Sequence, residues 1–265
     1  MCLIFAKEKA RMSRPKKRKY EKEEISRLSK ALIENGRAVD VGQKRKHWTK
    51  HDIKNITPLT PTQDEMFHAF FNNFHICAHG SAGTGKTFIA LYLAFSEILR
   101  HESPIDHIII VRSAVSTRDV GFVPGTLEEK TALYELPYDD MCGSLFGRMS
   151  TYRDMKEAGI IRFLSTSFVR GLTWDNAVVI IDEFQNMTLP EVDSVITRVG
   201  QNTRVILCGD ANHQCDLKKE KTCAKDVVNI LSHMKDFALI TFTKDDIVRS
   251  QFVKNWILAR DDTNI

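Results

Sequence analysis

The sequence predicts an α/β fold: a three-layer sandwich with a mostly parallel central sheet and helices on both of its faces. Three observations carry that expectation. Six short segments, at residues 75–78, 107–112, 161–165, 177–182, 204–209 and 237–242, are apolar on both faces and rich in β-branched residues, the pattern of buried parallel strands. Helical patterns separate several of them, among them LPEVDSVITRVG and CAKDVVNILSHMK, and such alternation places helices on both faces of a parallel sheet. Where the first strand gives way to the first of those helices, residues 79–90 read HGSAGTGKTFIA.

In chain order, the first feature is charge. The formal net charge of +4 hides an asymmetry. Residues 1–50 carry 16 Lys+Arg against 6 Asp+Glu, whereas the other 215 carry 22 against 28. Residues 1–56 therefore read as a basic N-terminal arm, partly helical or disordered, and residues 57–265 as one domain. Such an arm attracts phosphate polymers by counterion release, with little sequence preference. Tyr20 and Trp48, beside the charges, are placed to stack on bases; a solvated extension is the competing reading. Residues 22–36 (KEEISRLSKALIENG) have apolar positions at helical spacing and end on glycine, so a helix is expected there. Met12 precedes a polar stretch and is an alternative start.

No apolar run reaches the roughly 18 residues that span a bilayer, and the opening residues lack a signal-peptide pattern. No membrane association is expected, and a cytoplasmic location is. The six cysteines show no C-x-x-C, in keeping with reduced thiols. Cys208, His213, Cys215 and Cys223 cluster, but their spacing fits no common zinc pattern.

The domain begins at TPLTPTQDEMF, where Thr62 is the expected cap of a helix running through Phe71. Next comes the glycine-rich stretch. Gly80 and Gly85 bracket four residues and are followed at once by Lys86 and Thr87, the G-x-x-x-x-G-K-[ST] spacing of a phosphate-binding loop. The context agrees: FHICA before it is β-compatible, and TFIALYLAFSEILR after it is apolar nearly all round, as a buried helix is. The fold expected is thus that of a P-loop NTPase. In such a loop Gly80, Ser81, Ala82, Gly83, Thr84 and Gly85 turn backbone N–H groups toward phosphate. Lys86 reaches the β- and γ-phosphates, and the Thr87 hydroxyl ligates Mg²⁺. Residues 115–150 fit the alternation least well and read as an insertion or a long functional loop.

VVIIDEFQN places Asp182 and Glu183 at the carboxyl edge of a buried strand, where ligands bind in open parallel sheets. Asp182 is assigned to the metal and Glu183 to the attacking water. ILCGDANHQCDL brings a second strand end and Gln214, an amide suited to sensing a γ-phosphate, with a surface position as the alternative. DDIVRSQFVKNWI is a helical pattern carrying Arg249, which would stabilise phosphoryl charge in cis or from a neighbouring subunit; a surface ion pair is the plainer reading. Residues 243–246 read TKDD and fit a guanine-reading tetrapeptide, but where a GTPase shows D-x-x-G this chain has Asp182-Glu183-Phe184-Gln185. ATP is therefore preferred to GTP.

Together these segments resemble the PhoH family of P-loop ATPases, whose core is similar to that of superfamily-1 helicases. The likeness runs from about Thr57 to Ile257. It rests on VGFVPGTLEEK, FVRGLTWDNAVVIIDEFQN and DDIVRSQFV in that order. It implies that Gln63, in LTPTQDEMF, reads adenine, unless it is a helix-surface glutamine. Arg112 and Arg170 stand where the family carries arginines, to contact nucleic acid or to brace the sheet. Two departures are Ser113 in place of the family's proline and Phe184 in place of the alanine of DEAQN. The resemblance implies hydrolysis of ATP with Mg²⁺, coupled to RNA or single-stranded nucleic acid, by a ring-shaped homo-oligomer with a hexamer as its expected size. With no nuclease-like segment, RNA cleavage is not expected. A small-molecule kinase and an ATP-gated nucleic-acid-binding module are the alternatives.

Overall fold

A computed structural model of the protein describes residues 48–113, 127–210 and 223–262. Its centre is a six-stranded sheet of β1 (His75–Gly80), β2 (His107–Arg112), β3 (Ile161–Ser165), β4 (Ala177–Asp182), β5 (Arg204–Gly209) and β6 (Phe237–Phe242). The spatial order is β3-β2-β4-β5-β1-β6, and every pairing is parallel. All six predicted strands are present, and the sheet is wholly parallel.

Alternation along the strands explains the layers, since successive side chains leave a sheet on opposite faces. Ile108 and Ile110 join Ile76, Ala78, Val178, Ile180 and Ile206 in one core. Ile109 and Val111 join Cys77, Val179, Ile181, Val205 and Leu207 in the other. The first core is covered by α1 (Pro61–Phe71), α2 (Lys86–Ile98), α3 (Leu127–Phe146) and α4 (Thr151–Glu157); the second by α5 (Leu189–Ile196) and α6 (Ala224–Ser232). A three-layer α/β sandwich is the result. Each fully buried aliphatic side chain contributes about 1.5–3 kcal/mol by leaving water. A final helix, α7 (Gln251–Asp262), follows the sheet.

Local signals differ from expectation in four places. The cap of α1 is Thr60, not Thr62: Thr60 is extended (φ −136°, ψ 157°) and its side chain accepts from the Gln63 N–H, with Pro61 opening the helix. Proline favours the first helical position and an extended residue before itself, which decides between the two threonines. The 115–150 segment is not a loop through its second half, because α3 occupies Leu127–Phe146. Its buried residues Tyr138, Cys142 and Leu145 fall at helical spacing. Pro137 inside it and the exposed Leu133 and Leu136 obscured that pattern.

The 245–257 segment is not one helix. A 3-10 turn at Lys244–Asp246 precedes α7, and Val248 donates its N–H to the Gly83 carbonyl (3.1 Å), so that group is not available to a helix. Trp48, finally, is part-buried and packs edge-on against Phe146 (5.6 Å) rather than standing free for bases. Tyr20, the expected 22–36 helix and the rest of the arm up to residue 47 lie outside the described residues. No helix among the described residues is long and apolar enough to cross a membrane.

Candidate nucleotide-binding site

The site lies where β1, β4 and β5 end. Gly80 closes β1 with φ +120°, and a Cβ there would fall 2.0 Å from the Phe242 carbonyl oxygen. Only glycine fits that approach between β1 and β6. The loop then runs through Ser81, Ala82, Gly83 and Thr84, and Gly85 precedes α2 in a left-handed conformation. Thr84 is fully buried and donates its hydroxyl to the Ser81 carbonyl (3.1 Å). Lys86 folds back over the loop, with Nζ donating to the carbonyls of Gly80 (2.9 Å) and Ser81 (2.7 Å). Burial lowers the Lys86 pKa from its ordinary value, and Cys208, Asp210, Glu183 and Asp182 act in the opposite direction.

Asp182 stands at the end of β4, in register with Arg112 of β2 and Cys208 of β5. Although β5 separates β4 from β1, α2 returns across the sheet and brings Thr87 to it. The Thr87 hydroxyl donates to Asp182 Oδ1 at 2.8 Å, and the Tyr138 hydroxyl of α3 donates to Oδ2 at 2.7 Å. Asp182 is 4% exposed and Tyr138 fully buried. Burial and the adjacent carboxylate push the Tyr138 phenol well above its ordinary pKa, so it stays a donor. A hydroxyl and a carboxylate converging on one point are hard oxygen donors of the kind Mg²⁺ takes together with waters and substrate phosphates.

Glu183 adopts φ 53°, ψ 44°. Three of the other four described non-glycine residues with positive φ are asparagines, the type that tolerates this region best. A glutamate held there costs about 1–2 kcal/mol, and such strain concentrates at functional sites. The turn aims Glu183 into the cleft. Burial raises its carboxyl pKa and the Asp182 charge adds to that, while the Gln185 amide, Arg112 and Lys86 oppose the shift. Gln185 donates to Glu183 Oε2 through Nε2 and accepts from the Asp210 N–H through Oε1 (3.0 Å).

A cleft of about 340 Å³ is lined by the loop residues from Ala82 to Thr87, by Arg112, Asp182, Glu183 and Asp210, and by Arg249. Arg249 sits in the turn before α7, close enough to the loop that a Cβ on Gly83 would lie 3.0 Å from its Cγ. A second cleft, about 490 Å³, opens beside it between Leu59, Gln63, Phe88 and Val248. Gln63 is buried, not a surface residue; its Oε1 accepts from the Leu59 N–H (2.7 Å) and its Nε2 donates to the Thr84 carbonyl (2.9 Å).

Of the sequence candidates, Gln63, the 80–87 loop, Asp182, Glu183 and Arg249 are brought together, and Gln214 lies outside the described residues. Arg112 faces the cleft, whereas Arg170 is exposed on the turn after β3 rather than set against the sheet. Tyr138 and Gln185 were missed: Tyr138 lies in the segment read as an insertion, and Gln185, although part of DEFQN, was given no role. The TKDD tetrapeptide has a structural use: Asp246 is 4% exposed and accepts from the Thr243 N–H (2.8 Å) and hydroxyl (3.1 Å). Burial raises its carboxyl pKa, but those bonds and the Thr60 and Thr62 hydroxyls outweigh it and leave the pKa lowered. Of the cysteine cluster, Cys208 is buried in β5 and Cys223 donates to the Met187 carbonyl; His213 and Cys215 lie outside the described residues. No group of three or more His, Cys, Asp or Glu side chains placed to hold a metal ion occurs among the described residues. The departures also find places: Ser113 donates to Glu191 (3.3 Å), and Phe184 is fully buried against Gly209.

Comparison with known proteins agrees with these motifs. Residues 55–261 match the PhoH-like protein family. Protein PhoH of Escherichia coli K12 is 32% identical over 236 residues, covering 86% of this chain and 64% of that protein. A PhoH-like protein of Bacillus subtilis 168 is 34% identical over 213 residues, covering 80% and 66%. The chain thus spans about two thirds of the length of these relatives. Among solved structures, the large terminase of a thermophilic bacteriophage in complex with ADP matches with a TM-score of 0.47 at 14% identity, over 75% of this chain and 49% of that one. Unliganded Pif1 from Bacteroides matches at 0.37 and 14%, over 79% and 48%; at these scores neither adds to the argument. The strand–loop–helix at Gly80–Thr87, the acidic strand end at Asp182 and a family match across most of the domain lead to one conclusion: this chain belongs to the PhoH-like family.

Proposed function

We propose that the protein binds ATP with Mg²⁺ and hydrolyses it, coupled to the binding or unwinding of RNA or another single-stranded nucleic acid. The 2.8 Å hydrogen bond between Thr87 and Asp182 carries this reading. It joins the phosphate loop to an acidic strand end 95 residues away, at one point of one cleft.

In this reading the loop N–H groups and the start of α2 receive the phosphates. Lys86 gives up its two loop carbonyls for the β- and γ-phosphate oxygens. Thr87 and Asp182 hold the metal, which when bound neutralises charge on those oxygens. Glu183, held by Gln185, orients a water for in-line attack on the γ-phosphorus, and ADP leaves with the electron pair of the broken P–O bond. Lys86 and Arg249 stabilise the charge that develops on the transferring group. The place of Arg249 in its own chain's cleft favours action in cis. Gln63 stands beside the second cleft, where the adenine would lie. Gln214 keeps its proposed role as γ-phosphate sensor.

Nucleic-acid coupling is supported by the basic arm and by the exposed Arg170 and Phe168 beyond the carboxyl end of β3. Assembly into a ring-shaped homo-oligomer and a cytoplasmic location belong to the same proposal. The test is the ATP turnover rate with and without RNA or single-stranded DNA, at two salt concentrations, for the parental chain and for Glu183→Gln. Polymer-stimulated turnover that weakens at high salt, with E183Q binding ATP but turning over at least about 100-fold more slowly, is the expected result. Equal turnover in E183Q removes the hydrolytic mechanism. Turnover stimulated by neither polymer removes the coupling, and turnover only when a small acceptor is added points to a kinase.

A further inference from the structure

We infer that Tyr138 is a positioning residue of the magnesium site, fixing which Asp182 oxygen faces the phosphate loop. The inference rests on the reading above, in which Thr87 and Asp182 hold the metal. It concerns a residue of α3, an element outside both nucleotide motifs.

The two oxygens of Asp182 have distinct partners. Oδ1 accepts from the Thr87 hydroxyl of the loop, and Oδ2 accepts from the Tyr138 hydroxyl on the opposite side. Carboxylate and phenol are both withdrawn from bulk solvent, so the second bond is made within the protein. Tyr138 itself has little freedom. Its ring lies 5.8 Å from that of Phe163 on β3, and Cys142 and Leu145 of the same helix are fully buried in the core that also holds α2 residues. The tie therefore runs from the hydrophobic core to the carboxylate. Without it, Oδ2 would be a buried acceptor lacking its donor, and the carboxylate would turn to share its remaining donors between both oxygens. Outer hydrogen bonds of this kind orient metal-binding carboxylates, and their removal typically costs about 10–100-fold in metal affinity.

The test is Tyr138→Phe, which deletes one oxygen and keeps the ring against Phe163. ADP affinity is measured by calorimetry in excess EDTA and in excess Mg²⁺, with no turnover involved. The parental chain is expected to gain affinity from Mg²⁺. Y138F is expected to match it in EDTA within about twofold while losing roughly tenfold of the gain. An undiminished gain in Y138F overturns the inference and leaves the reading of the site intact. An equal loss in both conditions shows a packing role and also overturns it. A parental chain that gains nothing from Mg²⁺ removes both. A second measurement needs no variant: amide exchange of residues 134–142 in the parental chain with ADP, in Mg²⁺ or in EDTA. Slower exchange with Mg²⁺ is expected, and identical exchange refutes the tie.

Discussion

Gly209 offers the sharpest test of how the acidic strand end is built. A Cβ at this position would lie 2.4 Å from Gln185 Oε1, 2.6 Å from Phe184 Cδ1 and 2.8 Å from Phe184 Cε1. Phe184 is fully buried, so its ring has no open space to move into, whereas Gln185 lines the cleft and its side chain can give way there. Gly209→Ala is therefore an overpacking substitution, expected to cost about 1–3 kcal/mol. Phe184→Ala leaves a cavity and is expected to cost about 3–5 kcal/mol. The same ring that makes the first substitution costly is absent from the second. The double variant should thus be more stable than the sum of the two singles by at least about 1 kcal/mol, well beyond the roughly 0.5 kcal/mol scatter of independent sites. Urea denaturation of the parental chain and the three variants measures the cycle. Additivity within that scatter would refute the claim that Phe184 is what excludes a side chain at 209. The same substitution has a functional arm. Because Gln185 holds Glu183, G209A should lower ATP turnover by a larger factor than it lowers ATP affinity.

Two further predictions concern the elements around the site. Asp246→Ala removes the acceptor for the Thr243 N–H and hydroxyl and should cost about 1–2 kcal/mol by calorimetric melting, without altering the preference for ATP over GTP in competition binding; a switch in purine preference would restore a base-reading role to TKDD. Stability should fall as pH is lowered through the range below 6.5, because burial depresses the pKa values of His75 and His79 from that ordinary value. Their stabilisation is fully present above the unfolded pKa and is lost as pH falls through the folded one, at up to about 1.4 kcal/mol per pH unit for each group. His75 Nδ1 also accepts from the Val205 N–H at 3.0 Å, a bond that a protonated ring cannot make. Urea midpoints at pH 7.5, 6.5 and 5.5 for the parental chain and for His75→Phe check this, and an unchanged pH slope in the variant would assign the loss elsewhere.

Strand segments were the most legible part of the chain. Each is short, apolar on both faces and ended by a glycine, a charge or a turn, and their number and limits follow from the local pattern, except that β1 runs on through His79 to Gly80. The phosphate loop was legible for another reason, since backbone N–H groups can surround a phosphate only in a few local conformations, which confine glycine, lysine and threonine to set positions. Local chemistry also carried Asp182 and Glu183, because a carboxylate at the end of an apolar strand can only lie at the sheet's edge. Helix α3 was less legible, since Pro137 and exposed leucines interrupt the spacing of Tyr138, Cys142 and Leu145.

Residues that act across the fold were a different matter. Nothing near position 138 marks it as the partner of position 182, 44 residues away, and Gln63 as a bridge from Leu59 to the phosphate loop depends equally on where α1 comes to rest. The sequence by itself determined the elements and the local shapes that bind phosphate, because these depend on side chains within a few residues of one another. Only the tertiary structure decided that β5 comes between the two motif strands, that α2 carries Thr87 to Asp182, and that a core tyrosine holds the far oxygen of that carboxylate. Those are meetings between distant segments, set by how two apolar faces of one sheet are covered, and no local pattern encodes them.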